Sequence, residues 1–275
     1  VMFIMDYQRI DDMTKRMRRK ILDIAHSCNV NAHLGGGLSM VEITATLYGA
    51  VLKYDINNPY WDERDRFILS KGHGCLGYYS ALFEAGIISD EVISAFQTNE
   101  SDLIAHPVMN ISLGIESSNG SLGQGLSMAV GLAIAAKKKS MKHKVYVLLG
   151  NGECNEGAVW EAIISAAHFK LDNLTAIVDD NGMQSDGKSE TIMNYGNSSD
   201  KWKCFGWNVL SVDGHDIAQL YDAFTGHDVE NKPKVIIAHT IKGKGVSFME
   251  NNNEWHHNRL TKTHYEKALQ EIGEI

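Results

Sequence analysis

Residues 145–182 read VYVLLGNGECNEGAVWEAIISAAHFKLDNLTAIVDDNG, and this stretch decides the fold. It contains two largely apolar runs of strand length, 145–149 and 174–179, with a predicted helix at about 157–169 between them. Continuous apolar strands that alternate with helices are typical of a parallel sheet covered on both faces. A glycine turn directly follows each of the two strands.

The same alternation extends in both directions from this stretch. The sequence predicts further strands over 66–69, 209–212 and 235–239, and further helices at about 6–30, 39–52, 77–86, 89–97, 122–139 and 216–225. We expect Gly35-Gly36-Gly37 to break the chain between the first two helices. The pattern predicts an α/β fold with a parallel sheet flanked by helices on both faces. We expect a single domain over 1–275 with a helical N-terminal lead over about 1–60.

The composition is that of an acidic globular protein. The chain has 275 residues, 44% of them hydrophobic, and a formal net charge of −8. This apolar fraction excludes a disordered chain, and the acidic balance argues against a general nucleic-acid binder. No apolar stretch approaches the roughly 18 residues of a transmembrane helix, and the four cysteines form no C-x-x-C pair. We therefore expect a cytoplasmic protein without a nucleic-acid or membrane partner.

Three glycine-rich turns lie where such folds bind ligands. Gly120–Gly125 precedes a helix, whereas Gly150–Glu153 and Asp179–Gly182 end strands. Ligands bind beyond the C-terminal ends of parallel strands, where helix N-termini attract phosphates. One right-handed crossover separates Asn151 from Asn181, so we expect their side-chain oxygens at the same sheet edge, able to share a hard cation. Each turn alone is equally explained by chain reversal and capping; together they favour a diphosphate–metal site.

A second phosphate motif overlaps this region. Residues 182–189, GMQSDGKS, match the G-x-x-x-x-G-K-[ST] phosphate loop, and an apolar strand precedes them. That loop needs a long helix directly after its Lys-Ser pair, and residues 189–194 show no sustained helical periodicity. A nucleotide-hydrolysing site is therefore the weaker hypothesis. Nucleotide hydrolysis by the pure chain that is abolished in Lys188→Ala would revive it.

Five segments together resemble transketolase. Gly150–Glu153 followed thirty residues later by Asn181 resembles the thiamine diphosphate motif, a G-D-G and a downstream Asn. The other matching segments are Ser70–His73, Glu116–Gly125, Asp179–Gly182, and Thr240–Gly245 with Glu254–His256. The likeness extends from the N-terminal helix to about residue 262. It implies the thiamine diphosphate-binding fold, with thiamine diphosphate and Mg²⁺ or Ca²⁺ as cofactors.

The resemblance covers only the diphosphate-binding half of the family. Single-chain transketolases are more than twice as long, and their second half carries the glutamate that activates the cofactor and most ligands of the substrate phosphate. The likeness thus implies the N-terminal subunit of a split transketolase, joined to a C-terminal subunit in an α2β2 heterotetramer. Such an enzyme transfers a two-carbon ketol unit from a ketose phosphate to an aldose phosphate. The alternatives are the same chemistry on a branched or sulfonated sugar, and a non-catalytic partner subunit.

The family's motifs imply roles for particular residues. His33, His73, His106 and His256 match its active-site histidines, and His256 fits the motif better than His257. Glu156 is implied at the contact with the chain that supplies the activating glutamate. Cofactor contacts are implied for His73, Gly120, Ser121, Leu122, Gly152, Glu153, Asn181 and His256, and metal contacts for Asn151, Asn181 and the Met183 carbonyl. Histidines with a pKa near neutral would bind hydroxyls and move protons.

One position departs from the family's pattern. The aspartate of the G-D-G motif is Asn151 here. An amide oxygen still binds Mg²⁺, but the site loses a negative charge, and Mg²⁺ prefers carboxylates. We therefore expect weaker retention of metal and cofactor. The four histidines argue against a chain that has lost catalysis altogether.

Overall fold

A parallel sheet forms the centre of the fold in the computed structural model, which describes residues 5–273. The strands of this range are β1 (Asn31–Ala32), β2 (Arg66–Leu69), β3 (Val145–Gly150), β4 (Leu174–Asp180), β5 (Asn208–Asp213), β6 (Lys234–His239) and β7 (Asn258–Arg259). Five of them lie in the order β2–β3–β4–β6–β5, all parallel. The remaining two, β1 and β7, form a short antiparallel pair. Each predicted strand is confirmed to within one residue at either end.

Helices cover both faces of this sheet. They are α1 (Tyr7–Ser27), α2 (Leu34–Leu38), α3 (Val41–Thr46), α4 (Cys75–Glu84), α5 (Asp90–Ser94), α6 (Gln124–Lys138), α7 (Gly157–His168), α8 (Ser189–Ile192), α9 (Ser198–Cys204), α10 (Ile217–Thr225) and α11 (Lys262–Ile272). The side chains of α1 at helical spacing, including Ile10, Met17 and Ile21, are fully buried. The predicted amphipathic helix at the start of the chain is therefore confirmed.

Alternate residues of each strand enter different cores. In β3, Val145, Val147 and Leu149 pack with α6 and α7, whereas Tyr146 and Leu148 pack in the core that contains α1, α3 and α4. Successive side chains of a strand point to opposite faces, so a strand buried on both faces must be apolar throughout. This is why the strands read as continuous apolar runs, and it confirms the predicted helix-covered parallel sheet.

The prediction for the three consecutive glycines was wrong. Gly35, Gly36 and Gly37 do not break the chain; they lie inside α2, and all three are buried. The predicted helix at 39–52 is α3 followed by a π-helical turn over Leu47–Val51. Glycine is needed here because α2 packs very closely on α4: a Cβ on Gly37 would lie 3.1 Å from the Cβ of Leu76. Close packing outweighs the weak helical propensity of glycine.

Candidate active site

A cavity of about 370 Å³ opens at the C-terminal edge of the parallel sheet. It is lined by the loops that follow β2, β3, β4 and β6, together with the start of α2, the segment 106–122 before α6 and the segment before β7. The lining residues are His33, Gly36, Lys71, His73, His106, Gly120, Leu122, Gly150, Asn151, Gly152, Glu153, Asn181, Met183, Gln184, Ser185, Lys242 and His256. Most residues predicted for the site therefore do meet in one place. Ser121 and Glu156 are the exceptions.

The pairing of β1 with β7 positions the histidines. Ala32 lies opposite Asn258 in this antiparallel pair. The residues directly beyond this pair are His33, which follows β1, and His257, which precedes β7. Their ring centroids are 4.4 Å apart. This two-residue ladder brings a loop near the N-terminus beside a loop more than two hundred residues later in the chain.

The four predicted histidines form a cluster around His33. Its ring centroid lies 5.4 Å from that of His73, 5.7 Å from His106 and 5.3 Å from His256. The rings of His73 and His256 are 5.4 Å apart. His257 is exposed, does not line the cavity, and contacts the cluster through His33. The preference for His256 as the residue that faces the cavity agrees with this arrangement.

Burial and positive neighbours keep these imidazoles neutral. Burial, reinforced by the charges of His257 and His256, lowers the pKa of His33 to about 3. Burial, reinforced by Lys242, lowers the pKa of His256 to about 4. Burial and Lys71 hold the pKa of His73 well below its usual value. The expected pKa near neutral is therefore wrong for the cavity without a ligand, where the imidazoles are uncharged hydrogen-bonding groups.

A buried ion pair joins Lys71, a residue of the cavity wall, to Asp179. The Asp179 carboxylate is fully buried and accepts hydrogen bonds from the Lys71 ammonium, from Ser39 Oγ at 2.6 Å and from Thr240 Oγ1. Burial alone would raise the pKa of Asp179, but the Lys71 charge and these donors outweigh it, and the net shift is downward. The pair ties together the ends of β2, β4 and β6 and the end of α2. It fixes the loops from which the cavity is built.

Lys242 is a cavity residue that the sequence reasoning missed. Its side chain is 2% exposed, and Nζ donates to the Gln184 carbonyl at 3.1 Å and to Asn253 Oδ1 at 2.9 Å. Burial and the charge of Lys71 lower the pKa of Lys242 to about 8. The signal was present, because Lys242 and Lys71 lie inside the motifs at 240–245 and 70–73. Gln184, Ser185 and Gly36 carried no such signal.

Glu153 holds two glycine turns together. Its carboxylate accepts hydrogen bonds from the main-chain N–H of Gly123 at 2.9 Å, from that of Gly150 at 3.1 Å, and from Ser70 Oγ. Burial raises the pKa of Glu153, and the Ser70 hydroxyl is the largest opposing influence. These bonds give Glu153 a positioning role, and its predicted contact with the cofactor stays a prediction. The Gly123 amide donates to Glu153 and is therefore unavailable to an anion.

Two of the predicted site residues, Ser121 and Glu156, do not line the cavity. Ser121 is exposed and does not line the cavity, although its neighbours Gly120 and Leu122 do. Its predicted contact with the cofactor stays a prediction. Glu156 is exposed and occupies the N-cap position of α7. Its expected contact with a second chain stays a prediction.

The predicted metal ligands lie together at one corner of the cavity. Asn181 Oδ1 accepts a hydrogen bond from the Met183 N–H at 3.0 Å, and the Asn151 side-chain amide lies 3.2 Å from the Met183 carbonyl oxygen. Amide and carbonyl oxygens are suitable ligands for Mg²⁺ and Ca²⁺, so the corner fits such a cation. Over residues 5–273, no cluster of three His, Cys, Asp or Glu side chains offers an alternative metal site.

The overlapping phosphate-loop motif does not form a phosphate loop. Met183 and Lys188 form an antiparallel bridge, so residues 183–188 make a tight hairpin. The helix that follows, α8, has only four residues. The long helix that such a loop requires is therefore missing from residues 182–194.

Among the described helices, none is both long enough and apolar enough to cross a membrane.

Comparison with known proteins decides the family. The family model described as "Transketolase, thiamine diphosphate binding domain" matches residues 11–274. The chain belongs to the transketolase family. The predicted thiamine diphosphate-binding fold is confirmed by this match and by solved transketolase structures. The structure of transketolase from Campylobacter jejuni superposes with a TM-score of 0.90 at 32% identity, covering 98% of this chain and 43% of that chain.

Curated transketolase subunits match from end to end. One of them, from Actinobacillus succinogenes, is named as a subunit of an apulose-4-phosphate transketolase; it is 42% identical over 268 residues, covering 98% of this chain and 97% of that protein. The chain is 37% identical over 270 residues to the 6-deoxy-6-sulfo-D-fructose transketolase subunit SqwG of Clostridium sp., covering 93% and 98%. This chain thus spans less than half of a solved transketolase but nearly all of these subunits.

Proposed function

We propose that this chain is the thiamine diphosphate-binding subunit of a two-chain transketolase, which transfers a ketol unit from a ketose phosphate to an aldose phosphate. One observation carries the proposal: His33, His73, His106 and His256 converge on a cavity whose walls include the two turns of the diphosphate motif. The end-to-end likeness to transketolase subunits supports it.

Each part of the cavity has a role in this reaction. The Gly152 main chain and the Asn181 side chain would hold the diphosphate, and the main chain of Gly120 and Leu122 would line the rest of the cofactor. Asn151, Asn181 and the Met183 carbonyl would bind Mg²⁺ or Ca²⁺. When bound, thiamine diphosphate supplies the nucleophilic carbon that allows the C2–C3 bond of the ketose to break.

The histidines would bind the sugar and move its protons. A neutral imidazole can donate one hydrogen bond and accept another, which suits the hydroxyls of a sugar. Cleavage of the C2–C3 bond requires a base that takes the proton of the C3 hydroxyl, and an uncharged imidazole can accept that proton. An anionic substrate phosphate or diphosphate would raise the low pKa of His33 and His256, because a nearby negative charge stabilises the imidazolium.

A second chain completes the proposed enzyme. The relatives that match from end to end are themselves named as subunits, which implies a partner for each of them. We propose that the partner of this chain is a C-terminal transketolase subunit that carries the activating glutamate and most ligands of the substrate phosphate, in an α2β2 complex. Glu156 at the exposed start of α7 would contact this partner.

The relatives also bear on the substrate. Those named for apulose 4-phosphate and for a sulfonated fructose favour a specialised sugar over the common sugar phosphates. The acceptor would be an aldose or aldose phosphate, as in the general reaction. A cytoplasmic location remains part of the proposal.

Reconstitution tests the proposed function. The chain is co-purified with its C-terminal partner, and two-carbon transfer is measured for ordinary, branched and sulfonated ketoses with and without thiamine diphosphate and Mg²⁺. We expect transfer only by the complex and only with the cofactor. Activity of the chain alone would contradict the split site. A complex that binds the cofactor yet transfers no ketol unit from any donor would favour the non-catalytic subunit.

A further inference from the structure

The side chain of Asn151 lies between three protein groups at the corner predicted to bind metal. Asn151 is 3% exposed. One end of its amide lies 2.7 Å from Ser189 Oγ. The other end lies 3.2 Å from the Met183 carbonyl oxygen and 3.3 Å from the Asp179 carbonyl oxygen. The amide is thus held between one hydroxyl and two carbonyls.

The two possible orientations of this amide satisfy different states of the site. With Nδ2 toward the carbonyls, the amide donates to the Met183 and Asp179 oxygens, and its oxygen accepts from the Ser189 hydroxyl. With Oδ1 toward the carbonyls, Nδ2 donates to Ser189 Oγ, and oxygens converge without a hydrogen-bond donor between them. The first orientation is complete without a cation, whereas the second needs one. A hydroxyl can donate or accept, so Ser189 accommodates both.

An aspartate at this position would have only the second option. Both of its terminal atoms are oxygens, so one of them must face the two carbonyl oxygens. Without a cation, that oxygen of the buried carboxylate would face the two carbonyl oxygens with no donor between them, because Ser189 reaches only the other oxygen; such a contact is costly in a protein interior. At this corner an aspartate would therefore need the cation, whereas an asparagine can satisfy the two carbonyls without it.

We propose that Asn151 makes the divalent cation dispensable for the integrity of the diphosphate cavity. Its amide nitrogen takes the place of the cation between the Met183 and Asp179 carbonyls, and the amide turns by 180° to present its oxygen when Mg²⁺ or Ca²⁺ binds. This inference rests on the proposed function in that the cation is the one that accompanies thiamine diphosphate. It predicts a cavity that stays formed without metal.

The matched variant for the test is Asn151→Asp, in the full chain without cofactor. Thermal unfolding is followed in excess EDTA and then in millimolar Mg²⁺. We expect the Tm of the wild-type chain to be nearly the same in both, and that of Asn151→Asp to be lower in EDTA by about 3 °C or more and to recover with Mg²⁺. Equal responses of the two proteins to EDTA would overturn the inference. This readout requires no bound cofactor, so it is independent of the proposed enzymatic function.

Two further measurements keep the test decisive. In the complex with the partner, EDTA should weaken thiamine diphosphate binding by a larger factor in Asn151→Asp than in the wild type, because only the aspartate variant also loses the order of the cavity. If Asn151→Asp does not fold, the side-chain amide resonances of Asn151 are followed in the wild type, assigned with Asn151→Ser. They should shift as Mg²⁺ saturates the site. A wild type whose cofactor affinity falls in EDTA by as large a factor as that of Asn151→Asp, or an amide unchanged by saturating Mg²⁺, would contradict the proposed rotation.

Discussion

The imidazole rings of His33 and His257 lie with their centroids 4.4 Å apart, closer than any other pair in the histidine cluster around His33. The positive charge of a protonated His257 is the second influence, after burial, that lowers the pKa of His33. His257 is exposed, so it can be replaced without opening the core. Through this contact, an exposed residue contributes to the low pKa of a cavity residue.

Replacing His257 should raise the pKa of His33. In His257→Asn the pKa of His33 should rise because the positive neighbour is gone, yet remain below 6.5 because burial is unchanged. Titration of the ring carbon resonances by NMR measures the change. His227→Asn is the control, since His227 is exposed and pairs with Asp222. A His33 pKa that is unchanged or lower in His257→Asn would show that the two rings are not electrostatically coupled.

The chain should lose stability as the pH falls below about 6.5. The pKa of His33 is about 3 and that of His256 about 4 in the folded chain, against 6.5 for an ordinary histidine. The unfolded chain therefore binds protons that the folded chain does not, and the free energy of unfolding decreases from pH 6.5 down toward the folded pKa values. Urea unfolding at pH 7 and pH 5 should show this loss.

A double variant identifies the histidines responsible for this loss. His33→Asn with His256→Asn should lose less stability than the wild type between pH 7 and pH 5, since neither position can then bind a proton. His168→Asn with His264→Asn serves as the control, because both residues lie outside the cavity. If the double variant and the wild type lose stability equally, the acid sensitivity has another origin.

Lys242→Met should weaken cofactor binding. The substitution removes a buried ammonium from the cavity wall together with its bonds to the Gln184 carbonyl and Asn253. A charged hydrogen-bonding group contributes on the order of 1.5 kcal/mol or more, so the Kd of the two-chain complex for thiamine diphosphate should rise about tenfold. Calorimetry measures it. Lys244→Met is the matched control, because Lys244 lies on the same loop but pairs with Glu250 outside the cavity. Equal effects of the two substitutions would remove Lys242 from the binding site.

Glu153→Gln should destabilise the chain. One carboxylate oxygen accepts from the Gly123 N–H and Ser70, and the other accepts from the Gly150 N–H. A glutamine must direct its NH₂ group at one of these donors, which leaves buried donors unpaired at a cost of about 1–3 kcal/mol. Urea unfolding measures the change, with Glu161→Gln on the exposed surface of α7 as control. A free energy of unfolding equal to that of the control would show that Glu153 does not hold the two turns.

The sheet was predictable from the sequence because burial on both faces leaves a local signature. Val145–Leu149 is apolar at every position since alternate residues enter opposite cores. The right-handed crossover rule then predicted, from the sequence alone, that Asn151 and Asn181 lie at the same edge of the sheet. The convergence of the four histidines was predictable only from the likeness to a family, because the sequence spacing of His33 and His256 does not indicate that they lie close together.

The remainder depends on contacts between distant segments. The pair of β1 with β7 has two residues per strand and no pattern of its own, yet it sets the position of His33. The glycines of α2 were predicted to break the chain between two helices because propensity is local, whereas the reason for them is the close approach of Leu76 from α4. Lys242 lies inside a motif that the sequence analysis quoted, but its place in the cavity wall was missed because its burial comes from the loops around it. The assignment of the whole chain to one domain stays a prediction.

The cavity at the sheet edge is proposed above all to hold the diphosphate of thiamine diphosphate, and equilibrium binding tests this most directly. Calorimetry compares thiamine diphosphate with thiamine in the reconstituted two-chain complex. Two or more hydrogen bonds to a charged group should make thiamine diphosphate bind about a hundredfold more tightly or better, and Lys242→Met should reduce that difference. Equal affinity for the two compounds, or no binding of thiamine diphosphate, would contradict the account.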